Sequence, residues 1–244
     1  MPAPSTGRRL ERETIMADRL DLHHEVLLLT LKNEEGVPDF GNNYSYGMAG
    51  AMLAELLLRE RIEVEEDRKK KFLKLRDPAP VGEPALDAAL LKMAAAKRRA
   101  TLQTWVMRLG TQNLKHVVAG ELCRRNVLRA DEDKVLLIFT RKIYPELDPR
   151  PEREIVQRLR EAIYRDSSNV DPRTAILVSI ANAANVLKNV FPKDELKSRK
   201  ERIERVGAGQ VGGAATREAI QAAQTAATMA AIMPALIVTT TAGH

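Results

Sequence analysis

The feature that most constrains the fold is an apolar stretch at residues 174–190. Asp171 and Pro172 precede it as signals for the start of a helix, and Pro192 ends it. Apolar side chains fall on nearly every side of this segment rather than on one stripe. A helix that is apolar all round is buried by other helices. The sequence therefore predicts a mainly α protein, a single-domain helical bundle with a central buried helix.

Several further helices are predicted to surround this centre. Each carries an apolar stripe at helical spacing, and most begin at a Ser, Thr, Asp or Pro that favours helix starts. They span residues 45–58, 84–93, 101–109, 113–125, 149–163 and, as a charged surface helix, 193–206. The apolar run at 26–31 fits either a buried helix or a strand, with a turn at 33–36. Gly47 and Gly50 are expected to allow close helix packing.

Two short β-hairpins are also predicted. The first pairs residues 61–65, which alternate with period two, with residues 71–75. The second pairs 126–128 with 135–139 across an acidic turn at 131–133. These strands are too short to form the basis of the fold.

The two ends of the chain differ in composition from the rest. Residues 1–13 are expected to be a disordered arm, residues 14–235 the domain and residues 236–244 a flexible tail. No charged residue occurs at 219–238, a length that could span a membrane. Its Ala, Thr and Gln content favours a helix packed in the core instead. The single cysteine excludes an intrachain disulfide and favours a reducing, cytoplasmic compartment.

Charge and motifs indicate a binding protein rather than an enzyme. The net charge of +6 favours partners that carry phosphate. The chain has no phosphate-binding loop, dinucleotide fingerprint, zinc-protease motif or nucleophile elbow. His23 and His24 are adjacent, and adjacent side chains on a helix do not share a face. We therefore expect surface histidines, with no metal site and no cofactor.

An ordered set of segments resembles the Golgi phosphoprotein 3 family of peripheral membrane proteins. The matching segments are residues 25–36, 47–62, 80–90, Trp105, 122–128 and 171–191. They extend the resemblance over about residues 18–225 and imply a helical bundle with a protruding hairpin. Composition favours a prokaryotic member of the family.

This resemblance implies a site for phosphatidylinositol 4-phosphate beside a hairpin that enters the bilayer. Gly41 stands where the family has a tryptophan, and Ala49 where it has an arginine. Fewer cations weaken phosphate recognition, because charge-assisted hydrogen bonds are the strong ones. The residues expected to bind the headgroup are Asn42, Gln112, Lys115, Arg141 and Lys142. Those expected to enter the membrane are Ile138, Phe139, Ile143 and Tyr144.

The resemblance also implies partners and a location. A cytoplasmic adaptor that is peripherally associated with membrane would bind an anionic phospholipid or phosphoinositide, together with cytosolic tails of membrane enzymes. It could also form a homo-oligomer.

Two alternatives remain open. The helix at 113–125 followed by a hairpin also fits a winged-helix nucleic-acid binder, with Lys115, Arg124 and Arg125 against phosphate. The expected acidic turn at 131–133 makes nucleic acid the weaker choice. The second alternative is a helical scaffold that binds no lipid.

Overall fold

The computed structural model describes residues 19–31, 35–36, 44–68, 70–111, 113–135 and 139–211. These residues form a bundle of α-helices with two small antiparallel sheets, which confirms the predicted mainly α single-domain fold. Among the described residues, no helix is both long and apolar enough to cross a bilayer. The predicted arm, tail and uncharged helix at 219–238 lie outside this part of the chain.

The elements are named in chain order. They are α1 (Leu22–Leu28), α2 (Tyr44–Leu58), β1 (Ile62–Asp67), β2 (Lys70–Leu75), α3 (Pro84–Ala94), β3 (Ala100–Thr101), α4 (Leu102–Leu109), α5 (Leu114–Arg124), β4 (Asp131–Val135), β5 (Phe139–Ile143), α6 (Arg150–Tyr164), α7 (Pro172–Ala183), a 3-10 turn (Leu187–Asn189), α8 (Lys193–Ser198) and α9 (Lys200–Gly207).

Helix α7 is the predicted central helix. It packs against α1, α2, α6 and α9, and its side chains are buried on nearly every side. The Asp171 carboxylate caps its start by accepting a hydrogen bond from the Thr174 amide at 3.0 Å. The helix ends at Ala183, earlier than predicted, because Asn185 adopts a left-handed conformation and the Val186 amide bonds back to Ala181.

Close packing of α2 against the end of α7 depends on a glycine. A Cβ added at Gly47 would lie 2.7 Å from the Cβ of Ala184. Side chains of α1 are buried throughout, and α1 packs along α2. The apolar run that fitted either a helix or a strand thus includes the end of a short buried helix.

A buried carboxylate joins three of these helices. Glu55, on α2, is 1% exposed and accepts a hydrogen bond from the Leu22 amide at the start of α1. It also accepts hydrogen bonds from Arg59 and, at 2.9 Å, from Arg173 on α7. Burial alone would raise the pKa of Glu55, but the Arg173 hydrogen bond and both guanidinium charges lower it to about 2.

The first hairpin forms as predicted, with β1 and β2 paired and with a short third strand, β3, added at the edge of β2. The second hairpin is formed by β4 and β5. Among the described elements, these two strands pack mainly against each other. Its predicted register was wrong. Residues 131–133 lie in a strand opposite Lys142 and its neighbours, and Leu128 forms only an isolated bridge to Glu146.

His23 and His24 are not surface residues, as had been expected, because both are 0% exposed. Their imidazoles both reach one carboxylate oxygen of Glu121 on α5, at 3.4 and 2.9 Å. Adjacent side chains on a helix usually point in different directions. These two nevertheless meet at one point, because the Glu121 carboxylate lies between them.

We expect Glu55→Gln to lower the free energy of unfolding by about 3 kcal/mol, because it leaves the buried Arg173 without its counter-ion. Chemical denaturation at neutral pH measures this change. Glu204→Gln removes the same charge from an exposed position and should change stability by less than about 0.5 kcal/mol. Equal effects of the two substitutions would contradict a structural role for the Glu55 contacts.

Candidate anion-binding site beside the hairpin

Two basic residues at the start of α5 face the second hairpin. Leu114, Val118 and Leu122 form part of the buried face of α5, which fixes the rotation of the helix. Lys115 and His116 follow Leu114 on a half-buried side of the helix. Both residues lie close to β5. The hydroxyl of Tyr144, the residue after β5, bonds to His116, and the charge of Arg141 on β5 acts on Lys115.

The hairpin supplies two further cations, Arg141 and Lys142, both exposed on β5. Antiparallel pairing places them opposite Asp133 and Glu132 on β4. Arg141 donates to Asp133 through Nη2 at 2.7 Å and through Nε at 3.1 Å. An exposed pair of this kind is weak, since water and salt screen it. Arg141 can therefore exchange this partner for another anion at small cost.

These basic groups repel one another. Burial and then the charge of Arg141 lower the pKa of Lys115. Burial and then the charges of Lys115 and Lys142 lower the pKa of His116. An anion bound among these groups would relieve the repulsion and raise both pKa values. We call Lys115, Arg141 and Lys142 the cationic cluster.

Tyr144 was expected at a membrane-facing tip, but it lies in the core. It is 5% exposed within the core, and its hydroxyl lies 2.7 Å from Nδ1 of His116. Burial raises the pKa of its phenol. Strand β5 runs from the tip to the root of the hairpin, so Ile143 ends the strand half-buried and Tyr144 enters the bundle. Neither residue can reach the hairpin tip.

The other expected residues divide into two groups. Asn42, Gln112 and Ile138 lie outside the described residues, and Phe139 begins β5 with its side chain outside them. Ala49, where the family carries an arginine, is fully buried. Of the five residues expected at the headgroup site, Lys115 on α5 and the adjacent Arg141 and Lys142 on β5 lie within the described part of the chain, and the charge of Arg141 acts on Lys115. His116 was missed, because its partner Tyr144 is 28 residues away and no local spacing links them.

The root of the hairpin is fixed to the bundle by backbone contacts. The Arg129 amide donates to the Pro145 carbonyl at 3.0 Å, and the Tyr144 amide donates to the Gly36 carbonyl at 2.9 Å. Below this point, the Glu146 carboxyl is hydrogen-bonded to Glu152 of α6. Burial and then the charge of Glu146 raise the pKa of Glu152 to about 7, so the two carboxyl groups share a proton near neutral pH.

The nucleic-acid alternative depended on two exposed arginines along α5. Arg124 is exposed, but Arg125 is half-buried and forms an ion pair with Glu83. The acidic residues 131–133 line a strand of the hairpin. This arrangement places negative charge along the face that a DNA backbone would have to approach.

Comparison with known proteins identifies the family. The sequence model described as Golgi phosphoprotein 3 (GPP34) matches residues 22–223, most of the chain. The chain belongs to the Golgi phosphoprotein 3 family. This membership confirms the resemblance drawn from the ordered segments.

One relative is Vacuolar protein sorting-associated protein 74 of Schizosaccharomyces pombe, which is 29% identical over 221 residues. The alignment covers 77% of this chain and 65% of that relative, so the chain spans about two thirds of the relative's length. In this member of the Golgi phosphoprotein 3 family, the cationic cluster lies within the matched region.

We expect Tyr144→Phe to lower stability by about 1 kcal/mol through loss of the hydrogen bond to His116. Thermal unfolding of Tyr144→Phe, His116→Ala and the double variant measures the coupling between the two side chains. Additive effects of the two substitutions would contradict the hydrogen bond.

The shared proton of Glu146 and Glu152 predicts a pH dependence. A raised carboxyl pKa contributes stability below about pH 4.5, and this contribution is lost as pH rises through about 7. Glu152→Gln removes the ionisation, so it should stabilise the fold by about 1–3 kcal/mol at pH 8 and change it little at pH 4.5. Denaturation at both pH values tests this. A variant that is equally destabilised at both would show that the carboxyl itself is required.

Proposed function

We propose that this chain is a peripheral membrane adaptor that recognises anionic lipid headgroups at the cationic cluster. The observation that supports the proposal is the group of basic residues on two neighbouring elements, Lys115 and His116 on α5 with Arg141 and Lys142 on β5, which the 2.7 Å contact between His116 and Tyr144 holds side by side. A phosphate group is the ligand that suits such a cluster best, because it accepts charge-assisted hydrogen bonds from several cations. The family points to phosphatidylinositol 4-phosphate as the headgroup and to a cytoplasmic membrane face as the location.

The hairpin supports an orientation for this binding. In the sequence, β4 and β5 are separated by three apolar residues, Leu136, Leu137 and Ile138, and the basic residues follow on β5. Apolar residues at a tip with cations behind them suit an anionic bilayer, where the tip enters the interface and the cations meet phosphates. Ile138 and Phe139 are the residues that we propose to enter the bilayer.

The headgroup contacts differ from those that the family resemblance implies. Ala49 is buried and carries no donor, so the proposed site consists of Lys115, Arg141 and Lys142 together with Asn42 and Gln112. Lysines and arginines near an anionic surface contribute about 1 kcal/mol each, and salt screens this contribution. Total anionic charge should therefore dominate affinity, with phosphoinositide preference added to it.

An adaptor also needs a protein client, and we propose a binding role without catalysis. Cytosolic tails of membrane enzymes are the clients that the family suggests. Homo-oligomerisation on the membrane would add avidity to a weak headgroup site.

Liposome co-sedimentation at physiological salt tests the proposal. Neutral vesicles are compared with vesicles that contain phosphatidylserine and with vesicles that contain phosphatidylinositol 4-phosphate at matched total charge. We expect binding to both anionic vesicles and a preference for the phosphoinositide. The double variant Arg141→Glu, Lys142→Glu should lose at least about tenfold in affinity, because it reverses two charges at the surface.

The double variant Lys193→Glu, Lys197→Glu provides the control, because both lysines are exposed on α8 and lie outside the cationic cluster, and it changes the net charge by the same amount. It should bind vesicles almost as wild type does. An equal loss of vesicle binding in the control and in the cluster variant would mean that only net charge matters for binding. Absence of binding to every anionic vesicle would overturn the proposal and favour the scaffold alternative.

A further inference from the structure

A second cluster of polar side chains lies in the core, on the buried side of α5. Asp21, His23 and His24 at the start of α1 are all at most 4% exposed. The two imidazole rings lie with their centroids 4.1 Å apart, and both Nε2 atoms face Oε2 of Glu121. Membrane binding at the hairpin gives these residues no role.

Two atoms of this cluster have no hydrogen-bond partner, although both are buried. One is Oδ2 of Asp21, whose other oxygen is bound by Arg59, and the second is Nδ1 of His23. Nδ1 of His24 accepts a 3.3 Å hydrogen bond from the Asp21 amide at the start of α1. Buried polar atoms without partners are rare, and an ion or a water molecule that is not shown commonly accounts for them.

Charge around the cluster leaves room for a cation. Asp21, Glu55 and Glu83 are paired with Arg59, Arg173 and Arg125 respectively. Among the described ion pairs, Glu121 is paired only with the two histidines, and it also accepts a hydrogen bond from the Ala85 amide at 2.6 Å. If both imidazoles are neutral, no cation among these partners balances its negative charge. A buried carboxylate without a compensating cation is costly, so a positive ion here would be favourable.

The arrangement matches the way in which proteins hold transition metals. Metal-binding histidines usually donate the N–H of the other ring nitrogen to a carboxylate, which orients the ring. Glu121 can accept such bonds from both imidazoles, which leaves Nδ1 of His23 as a ligand, and Nδ1 of His24 as a second once it releases the Asp21 amide. One ligand atom of each of Asp21, His23 and His24 lies within 4.8 Å of the other two. Imidazole nitrogens with a carboxylate oxygen form a donor set that suits zinc.

We propose that Asp21, His23 and His24 bind a divalent transition metal ion of the zinc type, with Glu121 as the positioning residue for both imidazoles. The site is enclosed, so the ion serves the fold. All three ligands lie at the start of α1, where Glu121 connects the two histidines to α5 and Arg59 connects Asp21 to the end of α2. A bound ion would stabilise a helix of seven residues that carries little stability of its own.

The test uses the full chain with its affinity tag removed. Metal content is measured by mass spectrometry after purification without chelator, and thermal unfolding is followed with chelator and with added Zn²⁺. We expect about one equivalent of metal, and a melting temperature higher by about 5–10 °C at saturating Zn²⁺. Co²⁺ in place of Zn²⁺ should give visible absorption bands of a site with nitrogen and oxygen ligands.

Asp21→Asn and His23→Gln keep the size of each side chain and should abolish the Zn²⁺-dependent rise and the Co²⁺ bands. His116→Gln is the matched control, because it removes a histidine that bonds to Tyr144 outside the cluster, and it should retain both signals. If a variant does not fold, the metal content and the Co²⁺ spectrum of the wild-type chain decide. A metal-free wild type that responds to neither ion would overturn the proposal and leave a buried water or a protonated histidine at the site.

Discussion

The carboxylate of Glu55 is the point at which the helices of this bundle are held in register. It accepts hydrogen bonds from the start of α1, from its own helix and from α7, so three separate segments depend on one side chain. Apolar burial drives these helices together without fixing their rotation, because hydrophobic attraction has no direction. Directional bonds to Arg173 and the Leu22 amide supply the missing orientation. The faces that α5 and the hairpin present are positioned from this centre.

The helices could be predicted because their signals are local. Apolar spacing and capping residues are read within one segment, and Asp171 and Thr174 show that such signals are used as expected. The hairpin register could not be predicted in this way, because residues 131–133 resemble an acidic turn until strand pairing places them opposite β5. Lys115 and Arg141 were identified through family resemblance, whereas His116 and Tyr144 meet only in the folded chain.

Buried histidines illustrate a different limit of sequence reasoning. Adjacent side chains on a helix normally diverge, yet the rings of His23 and His24 lie 4.1 Å apart and both meet Glu121. The contact with Glu121 depends on the length of the side chains and on the position of α5. Neither can be predicted from the spacing of two adjacent residues. Net charge had a similar limit. The net charge of +6 favoured a phosphate-bearing partner. It does not say which basic residues such a partner can reach, because that depends on where the acidic residues of β4 lie.

Gly36 connects the hairpin to the chain segment that follows α1. Its φ is +60°, and a Cβ there would lie 2.3 Å from the backbone of Tyr144 and Pro145. The hairpin root and this segment therefore share one anchor, from which the chain continues toward Gly41. A side chain at position 36 would therefore have to displace the hairpin root from the bundle, so one glycine couples the segment after α1 to the seating of β5.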